Sequence, residues 1–255
     1  MLVGDFNGDG KADIAGRDLA TGNWWVALSS GSSFSNAFWT HWNPQAVWVD
    51  VRVGDFNGDG KDDLAGHEFG GGSWWVAQST GSSFTNAFWT IWNANVTWTD
   101  VRIGDFNGDG KVDIAGRDLA SGNRWVGLSS GSSFINTFWT NWNPQATWVD
   151  VLVADFNGDG KADIVGRVKE SGAIWVATST GTSFTNGLWD IWNSQVAWSN
   201  VRVGGFNGDA KADIVGQEAG VWWVGLSNGS SFTTTLWTVW NSSNVWVDAS
   251  TGDFA

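Results

Sequence analysis

The 255-residue chain has no cysteine, no tyrosine, two prolines, one methionine and two histidines. Without cysteine it can form no disulfide, and no thiolate can serve as nucleophile or metal ligand. The two histidines, His41 and His67, fall at non-equivalent places, and no G-x-S-x-G elbow or paired-glutamate motif accompanies them. Glu68, Glu170 and Glu218 read as isolated, solvated carboxylates, so catalysis of its own is not expected. Cations are scarce, with 13 Lys and Arg against 26 Asp and Glu and a net charge of −13. That balance argues against nucleic acid and anionic membrane surfaces as partners. No apolar run reaches 18 residues, so no helix is expected to span or insert into a bilayer. A signal-peptide pattern is missing too: Met1 leads straight into the strand-like LVGDF, as in a domain cut from a longer or processed precursor, or an unprocessed cytosolic protein.

What is abundant is repetition. The words GDFNGDGKADIAGR at 4–17 return with small changes at 54–67, 104–117, 154–167 and 204–217. The repeats are assigned as 1–50, 51–100, 101–150, 151–200 and 201–248 of a single domain, with 249–255 (TGDFA at 251–255) opening a further repeat-like strand. The fifth is two residues shorter, EAGVWW (218–223) standing where the first has DLATGNWW (18–25). In the first repeat, four β runs are expected at 2–6, 12–18, 23–29 and about 37–42, separated by NGDGK, LATG and SGSS turns. Helical periodicity is absent. Repeats of this length cannot bury their faces alone and must stack. The fold expected is all-β: a five-bladed β-propeller with four antiparallel strands and about 50 residues per blade. The competing arrangement is an open solenoid.

The chain also holds 23 tryptophans and 15 phenylalanines. Trp25, Trp75, Trp125, Trp175 and Trp223 never change, and hairpin register sets them opposite Gly16, Gly66, Gly116, Gly166 and Gly216. A ring lying over a bare strand glycine stabilises it, so these pairs are expected in the core. The preceding residue varies (Trp24, Trp74, Arg124, Ile174, Trp222), as does its cross-strand partner (Arg17, His67, Arg117, Arg167, Gln217). Alternation puts both on the face opposite the core pair. A second constant set is Trp39, Trp42, Trp48 and Asn43, ending as Trp237, Trp240, Trp246 and Asn241; its constancy points to packing between blades or to the floor of a crevice. Between its tryptophans, His41, Ile91, Asn141, Ile191 and Val239 vary as positions facing solvent or a neighbouring blade do.

Each acidic loop reads D-x-N-x-D-G-x-x-D. Calcium takes six to eight oxygens from carboxylates, amides and backbone carbonyls. The expected ligands are Asp5, Asn7, Asp9, Lys11 and Asp13; Asp55, Asn57, Asp59, Lys61 and Asp63; Asp105, Asn107, Asp109, Lys111 and Asp113; and Asp155, Asn157, Asp159, Lys161 and Asp163. Each lysine would offer only its carbonyl. The fifth loop keeps Asn207, Asp209 and Asp213 but has Gly205 and Ala210 at the first aspartate and the turn glycine, so a weak or empty site is expected there. An ion-free turn rich in Asx residues is the alternative, since the same residues dominate turns. Against it, three carboxylates on one small loop repel one another unless a cation intervenes.

The repeated DFNGDGKADI resembles the FG-GAP/VCBS repeats of integrin-type propellers, across essentially the whole chain. The resemblance implies a propeller with one calcium loop per blade, commonly in extracellular proteins; Gly205 and Ala210 depart from the motif. Similar repeats occur in bacterial secreted proteins, as appendages of hydrolases and in integrin-like propeller lectins of fungi.

Three functions compete: enzyme, glycan-binding module, and protein-binding or spacer domain attached to a secreted enzyme or surface protein. Glycan or glycoprotein binding is preferred, because sugars take aromatic faces together with planar polar groups, and the aromatic content exceeds what a core needs. The candidate clusters are Arg17, Asp18 and Trp24; His67, Glu68 and Trp74; Arg117, Asp118 and Arg124; and Gln217, Glu218 and Trp222. The fourth repeat, with Val168 and Ile174, is the poorest. Several weak sites on one rigid frame give avidity. Calcium loops of this kind suit a secreted or cell-surface setting.

Overall fold

The computed structural model describes residues 1–241, 243 and 244. Trp246 and the tail at 251–255 therefore lie outside the described residues.

The reading of an all-β, five-bladed propeller holds: five antiparallel sheets of four strands each follow one another along the chain. The first comprises β1 (Leu2–Gly4), β2 (Asp13–Arg17), β3 (Asn23–Ser29) and β4 (Phe34–His41). The second comprises β5 (Trp48–Gly54), β6 (Asp63–Glu68), β7 (Ser73–Ser79) and β8 (Phe84–Ile91). The third runs from β9 (Trp98–Gly104) through β10 (Asp113–Asp118) and β11 (Asn123–Ser129) to β12 (Phe134–Asn141). The fourth holds β13 (Trp148–Ala154), β14 (Asp163–Val168), β15 (Ala173–Ser179) and β16 (Phe184–Ile191). The fifth holds β17 (Ser199–Gly204), β18 (Asp213–Glu218), β19 (Val221–Ser227) and β20 (Phe232–Val239). β3 has the bounds expected from sequence, whereas β4 starts three residues early, because Phe34 pairs with Ser29 directly across the SGSS turn. β5 begins at Trp48, so the second sheet takes its first residues from the end of the first repeat.

The chain divides into two compact units, Met1–Ile103 with Asp109–Ala120 and Trp125–Thr137, and Gly104–Gly108 with Ser121–Arg124 and Phe138–Ala255. In the first unit, sheets are joined by aromatic seams. Phe6, from the repeated DF, meets Trp39 at 6.5 Å and the next sheet's Phe84 at 5.7 Å, edge to face in both cases. Phe56, Trp89 and Phe134 repeat this grouping. Within the second unit, Phe106, Trp139 and Phe184 do so again, as do Phe156, Trp189 and Phe232. Edge-to-face pairs add about 1 kcal/mol beyond the apolar area they bury. Each of these seams takes one tryptophan, Trp39, Trp89, Trp139 or Trp189.

Four of the five constant glycines, all but Gly16, are explained by a different ring from the one expected. Gly16 does pair with Trp25 and Gly66 with Trp75. Yet the ring lying against Gly66 is Trp42 of the preceding sheet: a Cβ there would sit 2.6 Å from its Cζ3 and 2.7 Å from its Cη2. Gly116 meets Trp92, and Gly166 and Gly216 meet Trp142 and Trp192, in the same way. The glycine half of the expected core pair holds, whereas the face opposite, expected to be open, is buried too. Trp24, Trp74, Arg124 and Ile174 are buried at 0–3% exposure, while Trp25 is 49% and Trp125 36% exposed. Neighbouring sheets cover both faces. Leu64 and Ala77, on the face of Trp75, pack with Phe6 and Trp42 of the first sheet, and Trp74 and Val76 pack with Ile114 and Phe134 of the third. The constant tryptophan stays partly exposed on a face that is otherwise covered.

Candidate functional site

Between the first two sheets, on the side that carries Trp75, lies a crevice of about 220 Å³ lined by His41, Trp42, Asn43, Ala46, Trp48, Glu68, Trp75 and Asn86. Its floor is fixed by packing. Trp42 and Trp48 stack obliquely, ring centres 4.5 Å apart. Asn86 accepts a hydrogen bond from Trp42 Nε1 at 3.0 Å and donates to Thr40 Oγ1 and the His41 carbonyl, tying the two sheets together. Trp48 Nε1 donates to the Asn43 carbonyl, which closes the turn beneath it. The side-chain amide oxygen of Asn43 holds the Gln45 N–H. What remains open are the Trp75 face, the Asn43 amide nitrogen, the Glu68 carboxylate and exposed His41. Trp75 pairs edge to face with Phe88, which is itself 51% exposed.

The tie recurs. Trp92 donates to Asn136 in the first unit; Trp142 donates to Asn186 and Trp192 to Thr234 in the second. Around each tie the sequence supplies the same constellation, with Trp125 and Asp118, Trp175 and Val168, or Trp223 and Glu218 in the places of Trp75 and Glu68.

Sequence reasoning chose neighbours of these residues. Of its candidate ligand contacts, Glu68 lines the crevice, while Asp118 and Glu218 hold equivalent, half-buried positions and Asp18 is exposed. The others correct the expectation of open surface clusters. His67, Arg117 and Gln217 are 3–6% exposed, and Arg17 and Trp222 are half-buried. Trp24 packs on Trp42, Trp74 on Trp92, and Arg124 places its guanidinium 4.4 Å over the Trp142 ring. These side chains fill the seam between sheets. Trp75 and its equivalents were visible in the sequence through constancy, but constancy was credited to the core.

The acidic loops form tight turns at the other end of the hairpin. Gly8 and Gly10 adopt φ of 76° and 80°, which only glycine enters without strain. Both Asp5 oxygens accept backbone N–H groups, from Gly8, Asp9 and Gly10 at 2.7–3.1 Å. Asn7 Oδ1 accepts from Asp9, and Asp9 pairs with Lys11 Nζ at 2.9 Å. Buried Asp13 accepts from the N–H groups of Phe6, in the loop, and Ser29, at the end of β3, tying the loop to that strand. Loops two and four repeat these bonds. Among the described residues no three His, Cys, Asp or Glu side chains gather into a metal-holding group. The donor set is nonetheless all oxygen, as a hard cation requires. Burial pushes the Asp63 carboxyl up to about 7, and the charges of Asp59 and Asp55 add to the shift. Asp163 is likewise pushed up to about 7, with Asp155 and Asp159 contributing. Donor chemistry and crowded charge fit a cation; the Asp9 carboxylate would have to leave Lys11 to reach one. In the fifth loop Asp209 keeps its bonds to Asn207 and Lys211, Asp213 still anchors Phe206, and Ala210 is forced to φ 64°.

The FG-GAP-like repeat family matches residues 5–66 and 55–116, and the FG-GAP repeat family matches 147–177. No curated protein matches the chain in sequence. Among solved structures, a lectin of Agrocybe aegerita that specifically recognises non-reducing terminal N-acetylglucosamine is similar in fold, at TM-score 0.62 and 19% identity, over 92% of this chain and 79% of that one. The Photorhabdus luminescens Tc holotoxin pore is similar at TM-score 0.55 and 16% identity, over 93% of this chain and 12% of that one. With the loops, the sheets and these matches in agreement, the chain belongs to the FG-GAP repeat family of β-propellers.

Proposed function

We propose that the protein is a non-catalytic carbohydrate-binding module that takes terminal sugars, N-acetylglucosamine-like in the first instance, into the crevices between sheets. One observation carries this reading: a tryptophan constant in all five repeats is partly open to solvent in each, and Trp75 borders a crevice that also offers a carboxylate and an amide. A sugar presents C–H groups on one face and hydroxyls around its rim. The Trp75 ring suits the face, while Glu68 and Asn43 suit the rim. The lectin of similar fold supports the choice of ligand class. Several such crevices on one chain give avidity for a multivalent glycan or glycoprotein. The similarity to a short part of the holotoxin chain favours one second reading, a spacer or protein-binding module carried within a larger protein.

The acidic loops, in the same proposal, take calcium through Asp5, Asn7, Asp9, the Lys11 carbonyl and Asp13, and through their equivalents in the next three repeats. Burial is the main cause that raises Asp63 and Asp163, and a cation at each loop would offset it together with the smaller repulsion from the neighbouring aspartates. Ions bound only by the folded chain stabilise it, and loops of this kind suit extracellular calcium levels. The test is a glycan array probed with the protein in calcium and in EDTA, with a thermal melt and elemental analysis alongside. Binding to terminal N-acetylhexosamine glycans, stoichiometric calcium and a lower Tm in EDTA are expected. A folded protein that binds no glycan leaves the spacer reading, and a melt indifferent to EDTA removes the calcium.

A further inference from the structure

One position in the second sheet breaks a pattern kept by its neighbours. In the third sheet, Arg117 donates Nε and Nη2 to Asp100 Oδ2 at 2.8 and 2.7 Å. In the fourth, Arg167 does the same to Asp150 Oδ2 at 2.9 and 2.6 Å. In the fifth both partners change together, and Asn200 Nδ2 donates to Gln217 Oε1 at 2.9 Å. Asp50, Asp100, Asp150 and Asn200 all have φ of 49–52°, at a bulge that turns the side chain toward this partner. In the second sheet the partner is His67, whose Nδ1 stands 4.0 Å from Asp50 Oδ2. His67 is 6% exposed and stacked on Trp74 at 5.0 Å, and among the described residues neither ring nitrogen has a hydrogen-bond partner. The shorter side chain leaves a cavity of about 290 Å³ lined by Asp50, His67, Phe69, Gly70, Thr97 and Trp98. Gly70 widens it further, standing where the other full-length repeats carry Ala20, Ala120 and Glu170.

We propose that this cavity is a binding site for a small guanidinium- or amidinium-type cation, which occupies the place that the Arg117 and Arg167 guanidinium groups fill in their own sheets. Asp50 Oδ2 supplies the carboxylate that would otherwise hold an arginine, and a planar cation pairs with such an oxygen through short, charge-assisted bonds. The unpartnered His67 ring offers an acceptor nitrogen in its neutral form, and Trp98 offers an aromatic wall that suits a flat cation. Arg52 already occupies the other Asp50 oxygen at 3.1 Å. It is no obstacle, because Arg102 and Arg117 both lie near Asp100 in the third sheet. The cavity shares no residue with the Trp75 crevice, although its Trp98 wall is the counterpart of Trp48 and stacks on Trp92 as Trp48 does on Trp42.

The test is calorimetric titration of the full chain with methylguanidinium and, separately, with arginine amide, both at millimolar concentration in calcium buffer. His67→Arg rebuilds the pair of the third and fourth sheets and fills the cavity; Asp50→Asn removes the carboxylate. Saturable binding of methylguanidinium by the unaltered protein, weakened about tenfold or more in each variant, is expected. Arginine amide should compete if the cavity admits the end of a longer side chain, and should not if only the free small cation enters; either result keeps the site. If His67→Arg fails to fold, Asp50→Asn decides alone, since asparagine already serves at the equivalent Asn200. Absence of binding by the unaltered protein, or equal binding by all three, overturns the proposal.

Discussion

Trp74 and Trp75 are neighbours on β7 with opposite fates. Trp74 is fully buried, and its position tolerates Trp, Arg and Ile across the repeats. Trp75 is partly exposed, and its position never changes. Inside the seam a gap can be filled in more than one way: Arg124 replaces a ring by laying its guanidinium on Trp142, and Ile174 fills its place with aliphatic bulk. Trp75 lies on a face that the first sheet also covers, yet it keeps part of its ring open and makes its ring contact with Phe88, which is itself half exposed. Constancy with incomplete burial is what a recurring ligand surface leaves in a repeat protein, whereas variation with full burial is what shared packing leaves.

Substitutions at four positions and a pH series test that contrast, from the largest effect downward. Gly66→Ala drives a methyl group into Trp42 and should lower stability by about 3 kcal/mol, read by denaturant melts. A loss under ~0.5 kcal/mol would mean that the seam is loose. Asn86→Ala leaves the Trp42 indole N–H without its acceptor and should cost about 2 kcal/mol, with Asn86→Thr milder because Thr234 already fills this role for Trp192. Trp75→Ala should reverse the balance of effects. Its cost in stability should be about 1 kcal/mol or less, while glycan affinity of that crevice falls about tenfold. Ala210→Gly relieves a left-handed alanine and should stabilise the fifth loop by about 1 kcal/mol.

The smallest effect concerns His67. Burial holds its pKa below 6.5, with Asp50 opposing the shift. The unfolded chain therefore takes up a proton at higher pH than the folded one. The stability His67 contributes is complete above pH 6.5 and is lost as pH falls through its lower folded value. Melts from pH 7.5 to 5 should show this as a difference between the protein and His67→Gln, which cancels titrations common to both. A difference of the opposite sign would contradict the buried, neutral histidine.

Most of the fold was legible because its causes are local. Asn-Gly-Asp-Gly turns and short alternating runs specify hairpins, and the 50-residue period specifies stacking units. The acidic loops were legible as loops, since Asp5 and Asp13 find their partners within the hairpin. The binding face was not. How a strand face is covered depends on the neighbouring sheets, and nothing in β6 and β7 alone announces that Trp42 will arrive from the sheet before to cover Gly66. Strand alternation separated the two faces correctly but could not say that neighbouring sheets would claim both. The partial exposure of Trp75 was hidden for the same reason, and so was the cavity beside His67, which shows only when Arg117 and Arg167 are seen paired to their aspartates.

The most direct measurement of the central claim is a tryptophan-fluorescence titration of the calcium-loaded protein with N-acetylglucosamine, repeated on Trp75→Ala. A saturable change in emission, reduced in amplitude and weakened in the variant whose melt is nearly unaltered, is the result expected. A titration that is flat for the unaltered protein, or identical in the two, would show that the exposed tryptophans are not a sugar-binding surface.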